Sequence, residues 1–344
     1  MLRYEHGGDV YSTAGIRLDF SINLNPLGMP DEIKAAIIQN INSYCAYPDP
    51  LCRTLCAAIA HKNNIKAEHV LCGNGAADLI FRLCLALRPN NVLLCTPTFS
   101  EYEKAALLSG AKTIYHTLRE QDGFGLTDRI LDALTPDIDM LFLCNPNNPT
   151  GALAPRGLIE DIAMRCNKNG TLLVLDECFI DFTDENSYLP LIIEYPNLVI
   201  LRAFTKLYSM AGLRLGYMLC SNITLLAATA GAAQTWSVSS AAQTAGLAAL
   251  SLDGWEERTK RLVRAERSFL MDGLSALGLT VFPSNANFML LKSDISLYEP
   301  LLAHGILIRR CENFAGLDTH FFRIGIKTRE KNIELLSMIA KSLM

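Results

Sequence analysis

Lys206 and Arg214 stand eight residues apart in a glycine-bearing stretch, Phe204-Thr205-Lys206 followed by Ala211-Gly212-Leu213-Arg214-Leu215-Gly216. The planar fork of an arginine matches the oxygens of a phosphate. A lysine that condenses with an aldehyde must lie near that phosphate if one ligand carries both groups. Asp176 closes the apolar run 171–175, and a carboxylate abutting a buried strand is costly unless it is paired. A protonated ring nitrogen is one partner, because an ionised aspartate beside it keeps the ring an electron sink. A helix N-cap or a structural ion pair would satisfy it equally. In Asn145-Pro146-Asn147-Asn148-Pro149-Thr150-Gly151 two prolines fix a rigid turn, and an amide held there can hydrogen-bond a phenolic oxygen. Gly73-Asn74-Gly75-Ala76-Ala77-Asp78 precedes a helical stretch through Leu87. Its glycines permit a tight turn, and N–H groups at a helix start favour a phosphate.

These groups need elements to carry them. The short apolar runs 92–95, 140–144 and 171–175 end in Thr96-Pro97, Asn145-Pro146 and Asp176-Glu177, and the run 198–201 leads into Lys206. Amphipathic stretches, 100–109 and 156–168 among them, lie between. This alternation predicts an α/β domain with a mostly parallel central sheet and helices on both faces. In such sheets functional groups collect beyond the C-terminal strand ends. After about residue 220 the pattern changes to a long helical region through Leu250 and a charged helix from Trp255 to about Leu277. Strand-like runs at 279–281, 288–291, 306–309 and 321–326 and a helix at 329–343 follow. The expected division is an N-terminal arm, 1–30, a large domain, 31–220, and a smaller α+β C-terminal domain, 221–344.

Composition narrows the function. The 344 residues are half apolar and carry a formal net charge of −4, with no basic run that would serve a nucleic acid. No stretch reaches the roughly 18 apolar residues of a membrane span, and residues 1–9 have no apolar segment of a secretory signal. The expected location is the cytoplasm. Eleven cysteines contain no CxxC pair and read as buried, reduced thiols, with no metal site. A dinucleotide binder would need a GxGxxG turn, and Gly73-Asn74-Gly75 lacks its third glycine.

In order along nearly the whole chain, the glycine turn, Asn-Pro-x-Asn-Pro-Thr-Gly, Asp-Glu-x-Phe, Thr-Lys and the arginine eight residues on resemble the fold-type I enzymes that use pyridoxal 5′-phosphate (PLP), the aspartate aminotransferase superfamily. The chain is most similar to the branch holding histidinol-phosphate aminotransferase and the cobalamin-pathway threonine-phosphate decarboxylase. The resemblance implies that Lys206 bonds the cofactor aldehyde, Asp176 pairs with its ring nitrogen, Asn148 contacts the ring oxygen and Phe99 stacks on the ring. Gly75, Ala76, Thr205 and Arg214 would hold the cofactor phosphate. Tyr47, in Tyr-Pro-Asp-Pro, resembles the tyrosine that reaches the phosphate in a neighbouring subunit, which implies a homodimer, and Arg323 resembles the receiver of the substrate carboxylate. Two positions depart: Ala203 stands where relatives commonly have a phosphate-binding hydroxyl, and Phe179 where aminotransferases of this branch usually offer a tyrosine.

The second departure leans toward the decarboxylase. So do His6-Gly7-Gly8-Asp9, the segment 20–28, and the signature 307–313 followed by Gly316-Leu317-Asp318. The resemblance then implies decarboxylation of L-threonine O-3-phosphate to (R)-1-amino-2-propanol O-2-phosphate, or of the phosphoserine analogue, for cobamide synthesis. His6, Asn25, Arg309 and Arg323 are the candidates for gripping its carboxylate and phosphate. Phosphoserine lacks one methyl, a difference worth only about 1–3 kcal/mol in a pocket. A histidinol-phosphate-type aminotransferase and a non-catalytic PLP-fold binding protein are the alternatives. The two enzymes would share one set of cofactor residues. They differ in which bond to the substrate Cα is held perpendicular to the ring.

Overall fold

Runs such as Met140–Cys144 and Leu172–Asp176 are buried on both faces along their whole length, so they belong inside a sheet covered by helices. A computed structural model describes residues 6–12 and 14–343; residues 1–5 of the expected arm lie outside the described residues. The large sheet has seven strands: β1 (Val70–Gly73), β2 (Asn91–Thr96), β3 (Lys112–Thr117), β4 (Met140–Cys144), β5 (Leu172–Asp176), β6 (Leu198–Ala203) and β7 (Gly216–Leu219). Their spatial order is β1-β7-β6-β5-β4-β2-β3, with β7 antiparallel to both neighbours and the other pairings parallel. The register sets Cys144 beside Asp176 and Asp176 beside Leu201, so the ends of β4, β5 and β6 open at one edge.

Helices α1 (Ala76–Leu87), α2 (Ser100–Leu108) and α3 (Arg156–Asn169) follow β1, β2 and β4. Each is amphipathic and lays its buried residues against the sheet, Leu79, Ile80 and Leu83 from α1 for example. A second, antiparallel sheet is ordered β10-β11-β9-β8, from β8 (Thr280–Val281), β9 (Phe288–Lys292), β10 (Arg309–Arg310) and β11 (Phe321–Gly325). The helices Trp255–Ala276 and Arg329–Ser342 pack on it through Val263, Leu270, Leu335 and Ile339.

Two expectations change. The region expected to run as one long helix to Leu250 is two helices, Ile223–Gly231 and Ser240–Leu250. Trp236, between them, takes a left-handed φ of 60°. Asn222 and Ser239 each cap a helix start by accepting from a backbone N–H. Both helices pack with the large sheet's layers, Val238, Ala242, Ala245 and Ala249 joining that core. The run 306–309 is split as well: Ile306–Leu307 pairs in parallel with Leu18–Asp19, and Arg309–Arg310 joins the second sheet. That first pairing ties the N-terminal segment to the C-terminal unit, with Phe20 sunk in its core.

Candidate active site

The edge where β4, β5 and β6 end faces the second sheet across a cavity of about 570 Å³, within the ~300–1,000 Å³ usual for small-molecule sites. Lys206, Asp176, Asn148, Thr205, Arg214 and Phe99 line it, as do Gly75, Ala76, His6, Arg309 and Arg323. Eleven of the thirteen residues singled out in the sequence thus meet in one place. Asn25 and Tyr47 do not.

Each arrives by a local rule. β6 runs out at Ala203 and the chain turns at once into the single helical turn Phe204–Leu207 carrying Lys206. Burial, before all else, pulls the Lys206 amine down to about 8, and the charges of Arg323 and Arg214 act the same way, opposed by Cys178 and Asp176. At neutral pH a sizeable minority of the amine is unprotonated, which an ordinary lysine does not offer. Gly75 has φ +85°, and a Cβ there would come 2.7 Å from Nη2 of Arg214. Only glycine lets the guanidinium close on the turn that starts α1, and no side chain caps that helix start. A guanidinium beside uncapped helix N–H groups is a cradle for a phosphate.

Asp176 is buried, and each of its oxygens has a protein donor. Its Oδ1 accepts from the Cys178 N–H at 2.9 Å and its Oδ2 from the Tyr102 hydroxyl at 2.6 Å. A carboxylate has about four lone-pair sites, so both oxygens can still accept from a ligand. Tyr102 was missed in the sequence. It sits on α2, stacked on Phe142 at 4.9 Å and edge-on to Phe99 at 5.5 Å. Burial and the charge of Asp176 push its phenol well above the ordinary value of 10, so it remains a donor. Phe99 immediately precedes the helix and meets Tyr102 three residues on, a pattern of aromatics that in sequence reads as core packing.

The Asn-Pro loop divides its amides. Asn147 bonds Pro97 O, Thr98 and Thr150, and Asn145 Oδ1 accepts from the Ala154 N–H. Asn148 instead accepts from Nη1 of Arg323, whose Nη2 donates to Ser21 O at 2.8 Å. The Nε of Arg323 is buried with no hydrogen-bond partner. Burial lowers this guanidinium to about 10, and it stays a cation at neutral pH. Phe179 packs edge-on against Phe288 at 4.9 Å and brings no hydroxyl, and Ala203 in the cavity wall brings none either.

Asn25, read in the sequence as a candidate substrate ligand, does not line the cavity. It is buried outside the cavity, and its Nδ2 donates to Leu207 O at 2.7 Å and Thr259 Oγ1 at 2.8 Å. Its own N–H donates to Lys206 O at 3.1 Å. Polar groups so fully matched hold the lysine turn in place. Tyr47 is 78% exposed and stacks on Trp236 at 4.3 Å, away from the cavity of its own chain.

The family model for aminotransferase class I and II matches residues 16–339. The chain belongs to that family. It is 40% identical to threonine-phosphate decarboxylase of Salmonella typhimurium, over 97% of this chain and 95% of that protein. Among solved structures, the histidinol-phosphate aminotransferase from Clostridium acetobutylicum superposes with a TM-score of 0.89 at 31% identity, covering 95% of this chain and 99% of that one. The L-threonine-O-3-phosphate decarboxylase from Porphyromonas gingivalis gives 0.83 at 27% identity, again over 95% and 99%. Aminotransferases of this class work with PLP, and the cavity fits that group. It offers a depressed amine, an anchored carboxylate, and a guanidinium against a glycine turn that a Cβ would fill. Among the described residues no cluster of His, Cys, Asp and Glu could hold a metal, and no helix is long and apolar enough to cross a membrane.

Proposed function

We propose that this chain is a PLP-dependent decarboxylase of an O-phosphorylated amino acid, with L-threonine O-3-phosphate as substrate and (R)-1-amino-2-propanol O-2-phosphate as product. The observation that carries the reading is charge. In a chain of net charge −4, the cavity wall holds Lys104, Lys206, Arg214, Arg309 and Arg323 against only Asp176 and Glu101. That surplus of cations suits a set of anionic groups: a cofactor phosphate, an amino-acid carboxylate and a phosphate on the substrate. The full-length similarity to the Salmonella enzyme points the same way.

Bound PLP supplies an aldehyde to capture the substrate amine and a ring to accept the electron pair left when a bond to Cα breaks. The protein's groups do the rest. Arg214, Thr205 and the Gly75-Ala76 turn hold the cofactor phosphate, Asn148 the ring oxygen, and Phe99 the ring face. Asp176, fixed by Tyr102 and the Cys178 N–H, would face the ring nitrogen. Arg323 and Arg309, with His6 at the mouth, bind the carboxylate and phosphate of the substrate. Lys206 Nζ, as an ammonium, delivers the proton that takes the place of CO₂ on Cα. Phe179, without a hydroxyl, leaves one fewer donor on the ring oxygen than a tyrosine would. Tyr47, exposed beside Trp236, serves the cavity of a second copy in a homodimer. The work is done in the cytoplasm, where eleven free thiols, ten of them buried, stay reduced.

The superposition on a histidinol-phosphate aminotransferase favours a second reading, transamination of a phosphorylated amine. Incubation with phosphothreonine, with and without 2-oxoglutarate, separates the two. Decarboxylation predicts CO₂ and the amino alcohol phosphate without a keto acid. Glutamate formed only in the presence of 2-oxoglutarate, with no CO₂, would establish the aminotransferase.

A further inference from the structure

Glu101 is an oddity in a cavity built for anions. It lies in the first turn of α2, two residues after Phe99, and its side chain is only 13% exposed. It accepts from Nε2 of His6 at 2.7 Å, and Lys104 stands 3.8 Å away. The His6 ring tilts over Phe99 with centroids 6.0 Å apart. A carboxylate can only accept, so this contact puts a proton on Nε2 of the ring. The hydrogen bond from His6 in turn holds the Glu101 carboxyl below its usual range.

The arm is stitched on its other side. A Cβ on Gly7 would lie 2.2 Å from Ser21 O, and the Gly8 N–H donates to Ser21 Oγ at 2.7 Å. Ser21 O is the same oxygen that accepts from Arg323 Nη2. The backbone of residues 7–8 therefore runs in contact with the segment that orients Arg323, and Glu101 holds the His6 side chain from across the mouth.

We propose that Glu101 is a positioning residue that latches His6 over the cavity mouth and so sets the affinity for the anionic end of the substrate. This deepens the reading of the cavity as a phosphoamino-acid site and rests on it. Of its two basic neighbours, Lys104 at 3.8 Å and His6 at 2.7 Å, the closer contact ties the Glu101 charge to the arm.

The test uses the PLP-loaded protein and the variants Glu101→Ala, His6→Ala and their double. Backbone hydrogen exchange over residues 7–12 is measured without substrate, and KM and kcat for CO₂ release from phosphothreonine are measured in parallel. The expected result is faster exchange in both single variants. KM should rise about tenfold, kcat should change far less, and the double variant should be no worse than either single one, as one hydrogen bond to a charged group would give. An unchanged cofactor absorbance band shows that the site is otherwise intact. Unaltered exchange in Glu101→Ala, or additive effects in the double variant, overturns the latch. If the parent protein releases no CO₂, the functional reading fails by itself, and the exchange comparison still decides the latch.

Discussion

At the scale of the residue, two groups carry the account. Lys206 owes its depressed amine first to burial and then to Arg323 and Arg214. Only the unprotonated amine attacks an aldehyde, so capture of PLP by the apo-protein should speed up roughly tenfold per pH unit below 8 and level off above it. Stopped-flow absorbance across pH 6 to 10 checks this; a rise continuing to the ordinary lysine value of 10.5 would contradict the burial. Tyr102→Phe removes the donor to Asp176 Oδ2 and leaves the stack on Phe142 in place. A lost bond to a buried carboxylate is worth about 1.5–3 kcal/mol, so kcat should fall about tenfold or more while KM moves little. Steady-state kinetics measures both. Lys206, Asp176 and Arg214 were legible in sequence because each is a chemically unusual residue in a short, patterned context. Tyr102 was not, because an aromatic at helical spacing is indistinguishable from core until its hydroxyl is seen to meet a carboxylate.

At the scale of the element, the parallel strands announce themselves because burial on both faces leaves them uniformly apolar. The edge strand Lys112–Thr117 mixes exposed and half-buried residues with none fully buried, and no apolar run betrays it. The glycine turn was visible, but its reason was not: Gly75 is required by the approach of a guanidinium from β7's side of the sheet, a contact of high sequence separation. Gly75→Ala should weaken PLP binding roughly tenfold or more, since a side chain at that φ costs about 1–3 kcal/mol and displaces Arg214. Equilibrium dialysis of the cofactor measures it. Asn25 was legible as unusual, and the structure sets it apart from the cavity lining. Its company in the N-terminal segment suggested a ligand, whereas its amide closes on Leu207 O and Thr259. Asn25→Ala should therefore destabilise the fold by about 1–3 kcal/mol through the orphaned partners, with a lower Tm, and leave substrate selectivity as it was. A change in phosphothreonine KM at unchanged Tm would restore the ligand role.

At the scale of the whole molecule, the cavity exists because two sheets of different kinds are brought face to face. The large sheet presents strand ends with Lys206 and Asp176; the smaller one presents Arg309 and Arg323; and the N-terminal segment crosses between them with His6. The chain order of the motifs made this organisation readable. Where helices 223–250 would pack was not readable, because their Ala-, Gly- and Ser-rich faces fit either partner. Central to the account is that the substrate Cα keeps its own hydrogen and loses its carboxylate, with Lys206 supplying one proton from the solvent pool. Turnover of phosphothreonine in D₂O, followed by mass spectrometry and proton NMR of the amine, tests this most directly. The account predicts 1-amino-2-propanol phosphate carrying a single deuterium at C1, and none in Lys206→Ala. A keto acid in place of the amine, or recovered phosphothreonine deuterated at Cα with its carboxylate intact, would contradict it.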